Sequence, residues 1–152
     1  MSTPLGPVAD YLPHRPPMLL IDHIVEVSND RAVCRSTIHP DCVFAREGVV
    51  HPTAMIEFVA QTCAIWVGVT NAREGTAPQL GFIVGCREVA FAVDSFAVGD
   101  ELTIVATKLL GQDQLVAFTG TVSRGDEVCV TIQLSVVDAA LAGTQWAPGA
   151  EG

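Results

Sequence analysis

Positive charge is scarce in this sequence. Its 152 residues hold eight Lys and Arg against 17 Asp and Glu, a net charge of −9, and no two basic residues are neighbours. A nucleic-acid surface is therefore excluded, because displacing phosphate counterions needs clustered cations. Charge of either sign is thin, 16% of residues against 49% hydrophobic, which implies that some surface is covered by another subunit. Uninterrupted apolar runs are missing too. None reaches the ~18 residues of a membrane span, so no membrane is expected. The start, MSTPLGPVADYLPHR, lacks a basic region followed by an apolar run; no secretory signal is expected, and the cytoplasm is the expected compartment. The five cysteines, at 34, 42, 63, 86 and 129, are an odd number without CxxC or CxH spacing. They read as small buried hydrophobes, so neither disulfides nor a metal is expected. No Rossmann or phosphate-loop glycine pattern occurs, and no cofactor is expected.

At this length a single domain is expected over 1–138, with 139–152 a small, glycine-rich tail. Residues 1–17 carry five prolines and read as a lead-in with one helical turn near Val8. Strands are expected at 18–27 and 32–38, joined through Asn29-Asp30, then a loop at 39–47. A helix is expected over 52–72: Pro52 suits its first position, and Gly75 lies just past its end. Four more strands are expected at 81–91, 101–110, 115–123 and 127–137. Turn signals at Gly99-Asp100, Gly111-Gln112-Asp113 and Gly125-Asp126 separate the last four. Tight turns exclude a parallel βαβ sheet, and the helix is apolar on nearly every side. The economical solution is an α+β hot-dog architecture, a curved antiparallel sheet wrapped around one long helix.

Inside that apolar helix stand Glu57 and Gln61, four apart and so on one face, with small Ala64 and Gly68 continuing the stripe. Such a stripe lines a channel or admits a second helix, while the two polar residues either satisfy backbone groups at a dimer seam or do chemistry. A carboxyl buried there has its pKa raised by desolvation, which suits acid or base work. His51 precedes Pro52 at the N-cap, where first-turn N–H groups are placed to hold a carbonyl oxygen as it gains charge. Six helical residues separate His51 from Glu57, about 9 Å of rise, so the two meet only across a two-fold axis.

LPHRPPMLLIDHI (12–24), IEFVAQ (56–61) and FAVGDEL (96–102) together resemble the hot-dog 3-hydroxyacyl-ACP dehydratases. GVVHP and GFIVGCR (81–87) resemble most closely the aryl-polyene-type subgroup. The resemblance implies dehydration of a 3-hydroxyacyl thioester, carried by acyl carrier protein or CoA, to the trans-2-enoyl form. It implies a homodimer, or a heterodimer with another hot-dog subunit. The family carboxylate falls on Glu57. The family histidine, in an HFPG turn, has no counterpart: Cys42-Val43-Phe44-Ala45 stands there. His51 and His39 are the candidates to replace it, with the N-cap and a plain loop position as their ordinary roles. Glu57 and His51 are thus the expected catalytic residues, and Gln61, Thr53, Ala54, Gly81 and Phe82 the expected substrate-binding ones. His14, Arg15 and Asp22 of the lead-in motif are assigned structural work. Arg46, Arg73 and Arg87 are the expected basic cluster for an acidic carrier. The absent histidine also suits a non-catalytic auxiliary subunit, and an acyl thioesterase is a third reading.

Overall fold

The computed structural model describes residues 4–75, 81–112 and 115–138, with backbone alone for 81, 82, 110–112 and 138. A 3-10 turn, Val8–Asp10, is followed by β1 (His23–Val27), β2 (Arg31–Thr37), β3 (Ala45–Arg46) and β4 (Val49–Val50). A second 3-10 turn, Pro52–Ala54, leads into α1 (Met55–Arg73). Then come β5 (Gly81–Phe91), β6 (Phe96–Ala97), β7 (Glu101–Gln112), β8 (Leu115–Arg124) and β9 (Glu127–Asp138). Six strands form one sheet in the order β1-β2-β7-β8-β9-β5, with antiparallel neighbours throughout. The two-residue strands β3, β4 and β6 form a second, small sheet. This is the expected α+β hot-dog arrangement, one long helix against an antiparallel sheet.

Local chemistry explains the boundaries. Gly99 and Gly125 turn the chain with φ of 96° and 61°, a region that costs glycine little. Pro52 occupies the first helical turn, and Gly75, with φ 75°, follows the helix end. Met55, Phe58, Val59, Cys63, Ile65 and Val69 of α1 are buried with Cys34, Ile104, Ala106, Phe118 and Ile132 of the sheet. The helix reaches β8 at Gly120, where an added Cβ would lie 2.2 Å from Val59 Cγ1. Trp66 stands edge-on to Phe118, 5.6 Å between centroids, and donates its ring N–H to Ser28 O. By length and composition Pro52–Arg73 could cross a membrane, yet 56% of its apolar window is buried inside the fold, as befits a core helix.

The differences from expectation are local. Residues 18–22 do not join a strand: Met18 and Leu19 N–H close a turn on Arg15 O, Leu20 N–H goes to Gln61 Oε1, and Asp22 N–H is shared between Ser36 Oγ and Arg35 O. The expected loop 39–47 contains β3, and β6 was not expected at all. Gly111 and Gln112, expected as a turn, continue β7 past a bulge after Lys108. The glycine of the helix stripe is already occupied. A Cβ on Gly68 would sit 2.6 Å from Tyr11 O, so the lead-in, not a second helix, covers it. The tail 139–152 lies outside the described residues.

Candidate active site

The site begins with a strap. Residues 12–20 cross the first turns of α1 and are fastened there by Gln61, which is 1% exposed. Gln61 Oε1 accepts from Leu20 N–H at 3.0 Å, and Nε2 donates to Met18 O at 2.7 Å. Nε2 also donates to Glu57 Oε1 at 3.0 Å. The amide is spent on these bonds and buried, so Gln61 does not face a substrate as expected. It holds the strap and the acid together.

Glu57, expected to be buried, is not. Its side chain is 30% exposed at the helix mouth, which removes the desolvation premise. One oxygen faces Gln61; the other has no protein partner among the described residues. The residue beside it is His14, whose Nε2 lies 3.6 Å from Glu57 Oε1. His14 Nδ1 is buried with no hydrogen-bond partner. Arg15 Nη1 donates to Leu12 O and His14 O at 2.8 and 2.7 Å, which fixes the backbone around the ring. The His14–Glu57 proximity was not expected. Its one sequence signal was the proline-fenced LPHRPP segment, whose rigidity suits a tether.

Glu57 opens on a cleft of about 380 Å³, lined by Phe44, His51, Thr53, Ala54 and Ile56 besides Glu57 itself. Four of the expected site residues therefore share one cavity wall, although no hydrogen bond joins His51 to Glu57. His51 caps the helix as expected: Thr53 N–H donates to its Nδ1 at 3.3 Å, and Thr53 Oγ1 lies 2.8 Å from the same nitrogen. Ala54 N–H is bound to His51 O and Met55 N–H to Pro52 O. The first-turn donors expected to face a carbonyl are thus engaged within the turn. Gly81 and Phe82 begin β5, and their side chains lie outside the described residues.

His39 is elsewhere. Its Nε2 lies 2.9 and 3.1 Å from the carboxylate of Asp22, whose Oδ2 also accepts Thr37 N–H, so the pair ties the strap to β2. The expected basic cluster does not assemble: Arg46 lies on β3 near the cleft, and Arg73 ends α1, about 27 Å along the helix from its start. Arg73 is moreover bound to Val27 O. All five cysteines are free, and three of them, Cys34, Cys63 and Cys129, are buried. Burial pushes the Cys34 thiol up to about 12, partly offset by a hydrogen bond from Thr62, and burial raises Cys63 likewise. Such thiols are unreactive. Among the described residues no three His, Cys, Asp or Glu side chains converge on a metal position.

A family model described as ApeP-like, ApeP dehydratase, matches residues 6–145. The chain is 32% identical over 101 residues to the 3-hydroxyacyl-[acyl-carrier-protein] dehydratase FabZ of Streptococcus pyogenes serotype M3, covering 63% of this chain and 70% of that one. To FabZ of Streptococcus uberis it is 30% identical over 105 residues, covering 66% and 72%. Among solved structures it resembles the dehydratase heterocomplex ApeI:P from Xenorhabdus doucetiae, with TM-score 0.84, 30% identity, and 89% and 92% of the two chains covered. A hypothetical thioesterase with coenzyme A from Streptococcus pneumoniae shares the fold alone, at 8% identity and TM-score 0.59 over 76% of this chain and 84% of that one.

Proposed function

The chain belongs to the ApeP-like dehydratase family, and from that premise we propose that it eliminates water from 3-hydroxyacyl thioesters of acyl carrier protein, with Glu57 as the acid. The observation that carries the reading is the Glu57 carboxyl, held from behind by Gln61 and open in front to a cleft shared with His51 and Thr53. In the reaction a base takes the C2 proton and the C2–H electrons form the C2–C3 double bond. The C3–O bond breaks as Glu57 delivers a proton to the departing hydroxyl, and water leaves. His51 takes the base role. The base role needs the tautomer in which Nδ1 gives up the Thr53 N–H cap and donates to Thr53 Oγ1 instead, leaving the Nε2 lone pair for the C2 proton. Acid and base do not touch, so the cleft is completed by another hot-dog chain, in a homodimer or a heterodimer. The exposed apolar residues Ile83, Val84 and Phe91 on β5, an edge strand of the sheet, support such pairing. Handling of carrier-bound thioesters suits a cytoplasmic protein.

Glu57→Gln is expected to lower enoyl-thioester formation by about 10²–10⁴-fold with the circular dichroism spectrum retained. Unchanged turnover would refute the assignment. A second reading, an auxiliary subunit of a hetero-oligomeric dehydratase, is favoured by Phe44 at the cleft, in the segment that lacks the family histidine. It predicts a chain that is inactive alone and joins an active second hot-dog protein, with the activity of the complex surviving Glu57→Gln in this chain. A thioesterase would release free thiol without enoyl absorbance.

A further inference from the structure

We propose that His14 is a positioning residue for Glu57: with Gln61 it holds Oε1 of the carboxyl, so that the transferable proton sits on Oε2 and faces the cleft. The proposal rests on Glu57 being the acid. Two donors address one oxygen. Gln61 Nε2–H reaches Oε1 at 3.0 Å and His14 Nε2 stands 3.6 Å away, while Oε2 has no protein partner among the described residues. A protonated carboxyl has one hydroxyl and one carbonyl oxygen, and donors select the carbonyl. Oε1 is therefore the acceptor and Oε2 the hydroxyl.

The ring's own chemistry agrees. A neutral imidazole has one N–H to place. On Nδ1 it would be a buried donor without an acceptor, and the Nε2 lone pair would face the lone pairs of Oε1. On Nε2 it points at the carboxyl and leaves only a lone pair unpaired at Nδ1. The second tautomer avoids both costs. The ring is also prevented from leaving, since Arg15 holds Leu12 O and His14 O before it and Gln61 holds Met18 O after it. A separation of 3.6 Å is long for a hydrogen bond, and catalytic contacts of this kind shorten when substrate is bound. His14 is not among the residues that line the cleft, so it acts through Glu57 rather than on the substrate.

The test uses the full chain, together with its hot-dog partner if turnover requires one, and the thioester assay above. His14→Phe keeps the ring and removes the donor; His14→Gln returns an amide N–H to the place of Nε2. His14→Phe is expected to lower kcat about 10–100-fold, the size of one hydrogen bond to an ionising group, with KM within about threefold. His14→Gln is expected to recover most of the loss. Unchanged kcat in a folded His14→Phe, or equal loss in both variants with KM raised in proportion, overturns the proposal. A cycle of His14→Phe and Glu57→Leu in urea reads the same contact without turnover. Coupled midpoints support it, and additive midpoints overturn it. An inactive wild-type protein, alone and with its partner, would instead fail the dehydratase reading.

Discussion

Gln61→Glu puts the strongest load on the clamp between strap and acid. The introduced acid has the shape of the amide, so Leu20 N–H keeps its acceptor. Met18 O loses its donor, and Glu57 Oε1 faces a carboxylate oxygen where it had an N–H at 3.0 Å. Unit charges 3–4 Å apart repel by roughly 4–5 kcal/mol at an effective dielectric of about 20. Water reaching Glu57, 30% exposed, reduces this to about 2–3 kcal/mol. The pair relieves itself by sharing a proton, which raises one pKa in the folded state. A raised folded pKa means that the folded variant binds more protons than the unfolded chain above about pH 4.3, so its stability falls as pH rises through that window. At pH 5 the deficit shrinks toward the lost Met18 bond, about 1 kcal/mol. At pH 8 it totals about 3–4 kcal/mol. In melting temperature the variant should lie roughly 2–4 °C below wild type at pH 5 and roughly 6–16 °C below it at pH 8. Thermal melts at both pH values measure this, with Gln61→Leu as the uncharged control whose deficit does not vary. An equal deficit for Gln61→Glu at both pH values would sink the reasoning.

Two further expectations concern the core. Gly120→Ala drives a methyl to 2.2 Å from Val59 Cγ1 and 3.3 Å from Ile132 Cγ2, and should cost about 1–3 kcal/mol by urea denaturation. Adding Val59→Ala should return part of that, so a strictly additive double variant contradicts the packing described. Cys34, held up to about 12 by burial against 9.0 for a free thiol, keeps its proton where the unfolded chain loses it. Stability should therefore fall above pH 9 by about 1.4 kcal/mol per pH unit for this thiol, with Cys63 adding in the same direction. Urea midpoints at pH 8.5 and 10.5 test it: Cys34→Ala should flatten the slope, and an unchanged slope refutes it.

Much of the fold was legible because its signals are local. Pro52 and Gly75 bracket the helix, and Gly99 and Gly125 sit where the backbone needs positive φ. The small sheet was not, since β3, β4 and β6 have two residues each, too short for any periodicity, and β6 pairs with β4 from almost fifty residues away. Residues 18–22 have a strand's composition, but a strand is defined by a ladder of hydrogen bonds, and here the N–H groups go to a turn on Arg15 O, to Gln61, and to Ser36 and Arg35 O. At the site, helical spacing placed Gln61 beside Glu57 and left it two tasks, and the one seen is satisfying backbone groups, on the strap rather than at a dimer seam. Spacing along a helix reports which residues share a face, not what an incoming segment does to them. His14 shows the same limit, since its neighbour Glu57 is 43 positions away and no pattern in either stretch refers to the other.

The clamp also sets an order of events during synthesis. The strap leaves the ribosome first, yet Gln61, which receives Leu20 and Met18, follows 41 and 43 residues later. The helix bearing Gln61 is itself packed against β7, β8 and β9, from the last third of the chain. Seating the strap on Gln61 therefore calls on a helix whose own packing partners come later in the chain, and it closes loops of about forty residues. Until the strap is seated the acid has Gln61 of its own helix beside it, and not His14. A chain shortened by its first twenty residues would keep every strand and the whole helix with Gln61, and would lose His14, the other of the two groups that address Glu57 Oε1.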